Sequence, residues 1–149
     1  MKYRCSLHLV LPFVALMSAS AADIHTPKTG SAERQAICDG ARAHVMARYA
    51  TRPLPQAIVF KIDHLSVAGD YANMEAIPLL KDGSYAAPNY LPDIGFNFCL
   101  KNTDGRWQVI ADLSRSDVPD ATEAAALKRS LPADFPLAVL SSTWRDLLR

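Results

Sequence analysis

The chain has 149 residues, half of them hydrophobic, with 16 basic residues, 15 acidic residues and three cysteines. So even a charge balance excludes the clustered basic footprint that nucleic acid demands. The length fits one domain with a single core.

Residues 1–22 have the form of a bacterial Sec signal peptide. Lys2 and Arg4 precede an apolar run from Leu7 to Met17, interrupted by His8 and Pro12, and Ala19-Ser20-Ala21-Ala22 supplies small residues for cleavage. The run is too short to cross a bilayer as a helix, which takes about 20 apolar residues. A periplasmic or secreted protein is expected, with no stable membrane insertion after cleavage. Cys5 lies before the apolar run, whereas a lipid-anchoring cysteine would follow it.

Residues 23–30, DIHTPKTG, read as a flexible mature N-terminus. The rest, 31–149, reads as a single α+β domain. Ser31 caps a helix with Glu33 in its first turn, and Ile37, Cys38, Ala41, Val45 and Tyr49 form its apolar stripe. Pro53 and Pro55 place its end near Ala50.

The first strand runs from Ala57 to Val67. Its apolar phase slips between Ile62 and Leu65, which predicts a β-bulge at Asp63-His64. After a turn at Ala68-Gly69-Asp70, a second strand runs from Tyr71 to about Leu80. Pro78 marks it as an edge strand or a strand end. A proline-containing loop, 81–93, leads to a hairpin, GFNFCLKNTDGRWQVIADLS, that turns at Asp104-Gly105. Phe96, Phe98 and Leu100 alternate on one arm, and Trp107, Val109, Ala111 and Leu113 on the other. Residues 116–120 can cap a helix ending near Ser130. A last helix is expected after Pro136, with Leu137, Leu140, Trp144, Leu147 and Leu148 on one face. The expected architecture is an N-terminal helix packed on a curved four-stranded antiparallel meander, followed by one or two C-terminal helices.

Cys38 and Cys99 form an even pair in an oxidising compartment, so a bridge between them is expected, the alternative being two separate buried thiols. In a regular strand Cys99 shares its side with Asn97 and Lys101, opposite Phe96 and Phe98, so the bridge needs Cys38 to reach that side.

SAERQAICDGARAHV, FKIDHLSVAGDYANMEA and the hairpin together resemble the small cystatin-like and NTF2-like α+β proteins over residues 31–115. One helix precedes the meander here, where NTF2-like enzymes often have two or three around a deep cone. The NTF2-like side of the resemblance implies an enzyme that acts on a small apolar substrate by general acid/base chemistry, with Asp63 or His64 as the proton-transferring group. A small secreted chain without a catalytic signature suits instead a non-catalytic binding protein.

Adjacent strand residues point to opposite faces, so Asp63 and His64 make a dyad only if the bulge realigns them. A solvated bulge with an ordinary histidine is the simpler reading. Asn97, Lys101, Gln108 and Asp112 read as one polar, solvent-facing sheet surface, and His44 as a boundary residue of the helix. Tyr85, Tyr90 and Leu91 on loop 81–93 are the expected binding residues, because aromatic side chains on a proline-stiffened loop supply interface anchors. The sequence holds no nucleophile elbow and no phosphate-cradling glycine run, and its histidines are widely spaced, so no cofactor and no metal are expected. A secreted or periplasmic binding protein with a protein partner in the cell envelope, of the inhibitor or immunity type, follows as the expected function.

Overall fold

The computed structural model describes residues 23–149. The expected signal peptide, 1–22, lies outside the described residues. The elements in chain order are β1 (Ile24–His25), α1 (Ala32–Arg48), β2 (Ile58–Ala68), β3 (Tyr71–Leu80), β4 (Phe96–Thr103), β5 (Arg106–Asp112), α2 (Ala121–Ser130), a 3-10 turn (Leu137–Val139) and α3 (Ser142–Leu147). The fold is α+β. Five antiparallel strands form one open sheet in the order β1-β2-β3-β4-β5.

Helix α1 begins where the sequence predicts. The Ser31 side chain accepts from the Arg34 amide at 3.2 Å, and Ile37, Ala41 and Val45 are buried. The two hairpins follow local turn chemistry. Ala68 pairs with Tyr71 around Gly69-Asp70, and Thr103 pairs with Arg106 around Asp104-Gly105. Asp104 and Gly105 have φ of 52° and 81°, the left-handed pair that a two-residue hairpin turn of this kind requires.

Two bulges set which residues face which way. The first lies between Ile62 and His64, as the phase slip predicts. It lets Phe60 and Ile62 share a face with Leu65 and Val67. The second was not foreseen. Leu100 pairs with Val109 and Cys99 with Ala111, which leaves Ile110 as the extra residue of β5. Trp107 and Val109 therefore face α1, whereas Ala111 and Leu113 face the other side. The unbroken alternation from Trp107 to Leu113 hides this switch.

The sheet is covered on both faces. On one side α1 packs Ile37, Ala41 and Val45 against Met74, Phe96, Phe98, Leu100 and Trp107. On the other, residues after β5 fold back, and Phe135, Val139, Leu140 and Leu148 bury Tyr71, Cys99 and Leu113. The face expected to meet solvent is thus a second core, and Asn97 within it is only 3% exposed.

Other expectations need correction. Residues 23–30 are not a flexible lead-in throughout but supply β1, in which Ile24 pairs with Ala68 and His25 with Val67. The single last helix is split, because Leu140 is extended between the 3-10 turn and α3. Strand β3 is central, so of the two expectations for Pro78 the strand end holds and the edge does not. Pro78 is accommodated because β4 pairing stops at Ala76, so the missing N–H interrupts no ladder on that side. Arg42 Nε on α1 donates to the Ile58 carbonyl of β2 at 2.8 Å, while Gly40 lies against the Trp107 backbone of β5. One helix thus spans the sheet from β2 to β5.

Candidate functional site

The bulge sends Asp63 and His64 to different fates. Asp63 is exposed. His64 points away from α1, and its Nε2 lies 2.8 Å from the Val139 carbonyl. A carbonyl only accepts, so this nitrogen carries the proton, and the ring pins the 3-10 turn to β2. No hydrogen bond joins Asp63 to His64 among the described residues.

Loop 81–93 divides its three expected contact residues. Asp82 accepts from the Ser84 amide and hydroxyl and from Gln56, and these bonds hold its carboxyl below the ordinary carboxylate range. Leu79 bridges to Tyr85, yet the Tyr85 side chain stays in solvent, with the residue 62% exposed. Tyr90 is half-buried against the first core, beneath the Arg52 guanidinium. Leu91 is 1% exposed and belongs to that core, so it anchors the loop instead of offering a contact.

Cys38 and Cys99 are free thiols. Cys38 packs at the edge of the core beneath α1, whereas Cys99 is buried on the opposite face. The sheet separates them, so the expected bridge does not form. Burial pushes the Cys99 thiol up to about 12, against a weaker lowering by Asn73.

A polar cluster that the sequence did not reveal lies between α1 and β5. The bulge at Ile110 turns Asp112 toward the helix. There its Oδ2 lies 2.7 Å from His44 Nε2 and accepts from the Tyr49 hydroxyl at 2.7 Å. Its Oδ1 accepts from the Ser114 amide at 3.0 Å. The side chains of His44 and Asp112 are 24% and 15% exposed. Burial pushes the Asp112 carboxyl up, but the bonds from Ser114, His44 and Tyr49 together outweigh it and hold the group low. Burial, then the bond to Asp112, pushes the Tyr49 phenol up. An ionised carboxylate only accepts, so His44 Nε2 carries a proton and Nδ1 is the ring's remaining position for chemistry. His44 borders a groove of about 540 Å³ between α1 and β5, with Gly40, Trp107 and Val109 on its walls.

A second concavity, of about 340 Å³, opens on the other face, between the sheet, residues 115–119 and α3. Glu75 and Asn97 lie on its floor, Asp63 and Arg115 line it, and Trp144 and Leu147 give it apolar wall. Glu75 is half-buried on the central strand β3. Its Oε1 accepts from the Ser141 hydroxyl and, at 3.4 Å, from Asn97 Nδ2. Asn97 in turn accepts from buried Asn73 at 2.6 Å. The signal in the sequence that marks Glu75 is an acid amid the apolar run of β3.

Among the described residues, no three metal-ligating side chains gather, and no helix is long and apolar enough to cross a membrane. No family model, no curated protein and no solved structure matches the chain.

Proposed function

We propose that this is a non-catalytic binding protein of the periplasm or the secreted fraction, which engages a protein partner of the cell envelope in the manner of an inhibitor or immunity protein. The observation that carries the reading is the disposition of loop 81–93. Leu91 fixes the loop to the core while Tyr85 stands 62% exposed at its other end. A rigidly mounted, exposed tyrosine is the kind of residue that supplies an interface anchor at low entropic cost. The signal-like leader supports the compartment, and one helix set across an antiparallel meander suits the cystatin-like side of the resemblance. Capture from a periplasmic extract with residues 23–149 as bait, repeated with Tyr85→Ala, tests this. A specific protein recovered by the native sequence and lost with Tyr85→Ala is the expected result. Recovery of the same proteins by both baits would defeat the reading.

A second reading, an NTF2-like acid/base enzyme for a small apolar substrate, is favoured by one observation, the His44–Asp112 pair beside an open groove. The base would then be His44, oriented by Asp112, in place of Asp63 or His64. In that case His44→Gln lowers turnover by about 10²–10⁴-fold, and Asp63→Asn leaves it unchanged.

A further inference from the structure

We propose that the cleft between the sheet, residues 115–119 and α3 is a ligand site for a free α-amino acid or the amino end of a short peptide. The ammonium group sits at Glu75, the carboxylate or first carbonyl at Arg115, and an apolar side chain against Trp144.

Two groups of opposite charge, Glu75 and Arg115, line this one cavity. The first is the Glu75 carboxylate. It is half-buried on a central strand, and its hydrogen bonds come from neutral donors, Ser141 and Asn97, both to Oε1. No Lys, Arg or His of the described residues lies within ion-pair distance of it. Oε2 is left to receive a donor. The second is Arg115. Its Nη1 reaches Glu123 at 3.4 Å, but its Nε is buried and has no hydrogen-bond partner. A buried N–H without an acceptor costs about 1–3 kcal/mol and asks for a partner.

A ligand that satisfies both must carry a cationic donor and an anionic or carbonyl acceptor. An α-amino acid has both on one carbon, and an amino-terminal residue has the ammonium and a carbonyl at similar spacing. Asp63 and Asp117 at the rim bias the site toward the cationic end. Trp144 and Leu147 offer surface to an apolar side chain. A volume of about 340 Å³ lies at the small end of the range for ligand pockets, about 300–1,000 Å³, which suits an amino acid or dipeptide. The site is separate from Tyr85, so it stands whether or not loop 81–93 binds a partner.

The test follows the Trp144 indole NMR signal of residues 23–149, assigned with Trp144→Phe, during titration with four probes. These are leucine, leucyl-leucine, leucinamide and N-acetyl-leucine. Leucine or leucyl-leucine should shift the signal saturably, and the stronger of the two identifies the free or peptide form. N-acetyl-leucine, which lacks the ammonium, should bind at least tenfold more weakly. If leucine is the stronger, leucinamide should also be weaker. Glu75→Gln should abolish the preference for leucine over N-acetyl-leucine. Arg115→Gln should abolish the preference over leucinamide. No saturable shift with leucine or leucyl-leucine, or equal binding of N-acetyl-leucine, overturns the proposal. Both outcomes are read on the native sequence, so they do not depend on any variant folding.

Discussion

His44 Nε2 lies 2.7 Å from Asp112 Oδ2, which ties the C-terminal part of α1 to the last residue of β5. Asp112→Asn removes the charge that receives both His44 and Tyr49. It should cost about 1–3 kcal/mol. The folded Asp112 carboxyl is held low, so its contribution is complete above its unfolded value of about 3.9 and is lost as pH falls through the folded one. Tyr49 is held high, so its contribution is complete below about 10 and is lost as pH rises. Thermal melts of both proteins across pH should differ most on the neutral plateau, and the gap should close in acid. A constant gap down to the acid limit would contradict this account.

Gly40 needs the absence of a side chain. A Cβ there would sit 2.9 Å from the Trp107 carbonyl carbon and nearer still to its oxygen. Both are backbone atoms that no rotamer change moves. Alanine raises helix propensity by about 1 kcal/mol over glycine, yet overpacking at a fixed contact costs about 1–3 kcal/mol. Gly40→Ala should therefore be destabilising overall, in contrast to an ordinary helix-interior glycine. Chemical denaturation measures the sign, and a stabilised variant would show that α1 does not approach β5 this closely.

The two thiols should differ in reactivity. Intact mass of residues 23–149 under non-reducing conditions should show both cysteines reduced. Cys38, half-buried, should label before Cys99, which burial keeps protonated to about 12. Because the folded Cys99 value is raised, its stabilising effect is complete below the unfolded thiol value of about 8.5 and is lost as pH rises beyond it. A mass lower by two hydrogens would place the bridge back in the molecule.

His64 and Asp63 should separate in a stability measurement. His64→Ala removes the bond to the Val139 carbonyl and should cost about 1 kcal/mol, whereas exposed Asp63→Asn should change stability by less than about 0.5 kcal/mol. Equal effects would mean that the bulge does not direct the two residues as described.

Local signals in the sequence were sufficient where one residue type dominates the geometry. Ser31 located the helix start, Asp104-Gly105 the hairpin turn, and the slipped phase at Asp63 the first bulge. The Ile110 bulge was illegible, because alanine and leucine continue the alternation whichever face they meet. That one irregularity also hid the site under α1, since a regular strand would keep Trp107 and Leu113 on one side and Asp112 on the other. The second core was missed for a related reason. Asn97 and Cys99 share a face with Lys101, and only the return of residues 131–148 turns that polar-looking face inward. Leu91 was misjudged because a residue in a loop can still anchor it. Tyr85 and Tyr90 lie on one proline-containing loop, and contact with the core distinguishes them.

The measurement closest to the central claim is a binding titration of the purified envelope partner against four proteins: the native sequence, Tyr85→Ala, His64→Ala and Asp63→Asn. The account predicts that Tyr85→Ala raises Kd by about tenfold or more, the loss of at least 1.4 kcal/mol expected of an interface anchor, while the other two variants bind as the native protein does. An unchanged Kd for Tyr85→Ala, or a loss of binding confined to Asp63→Asn, would contradict it.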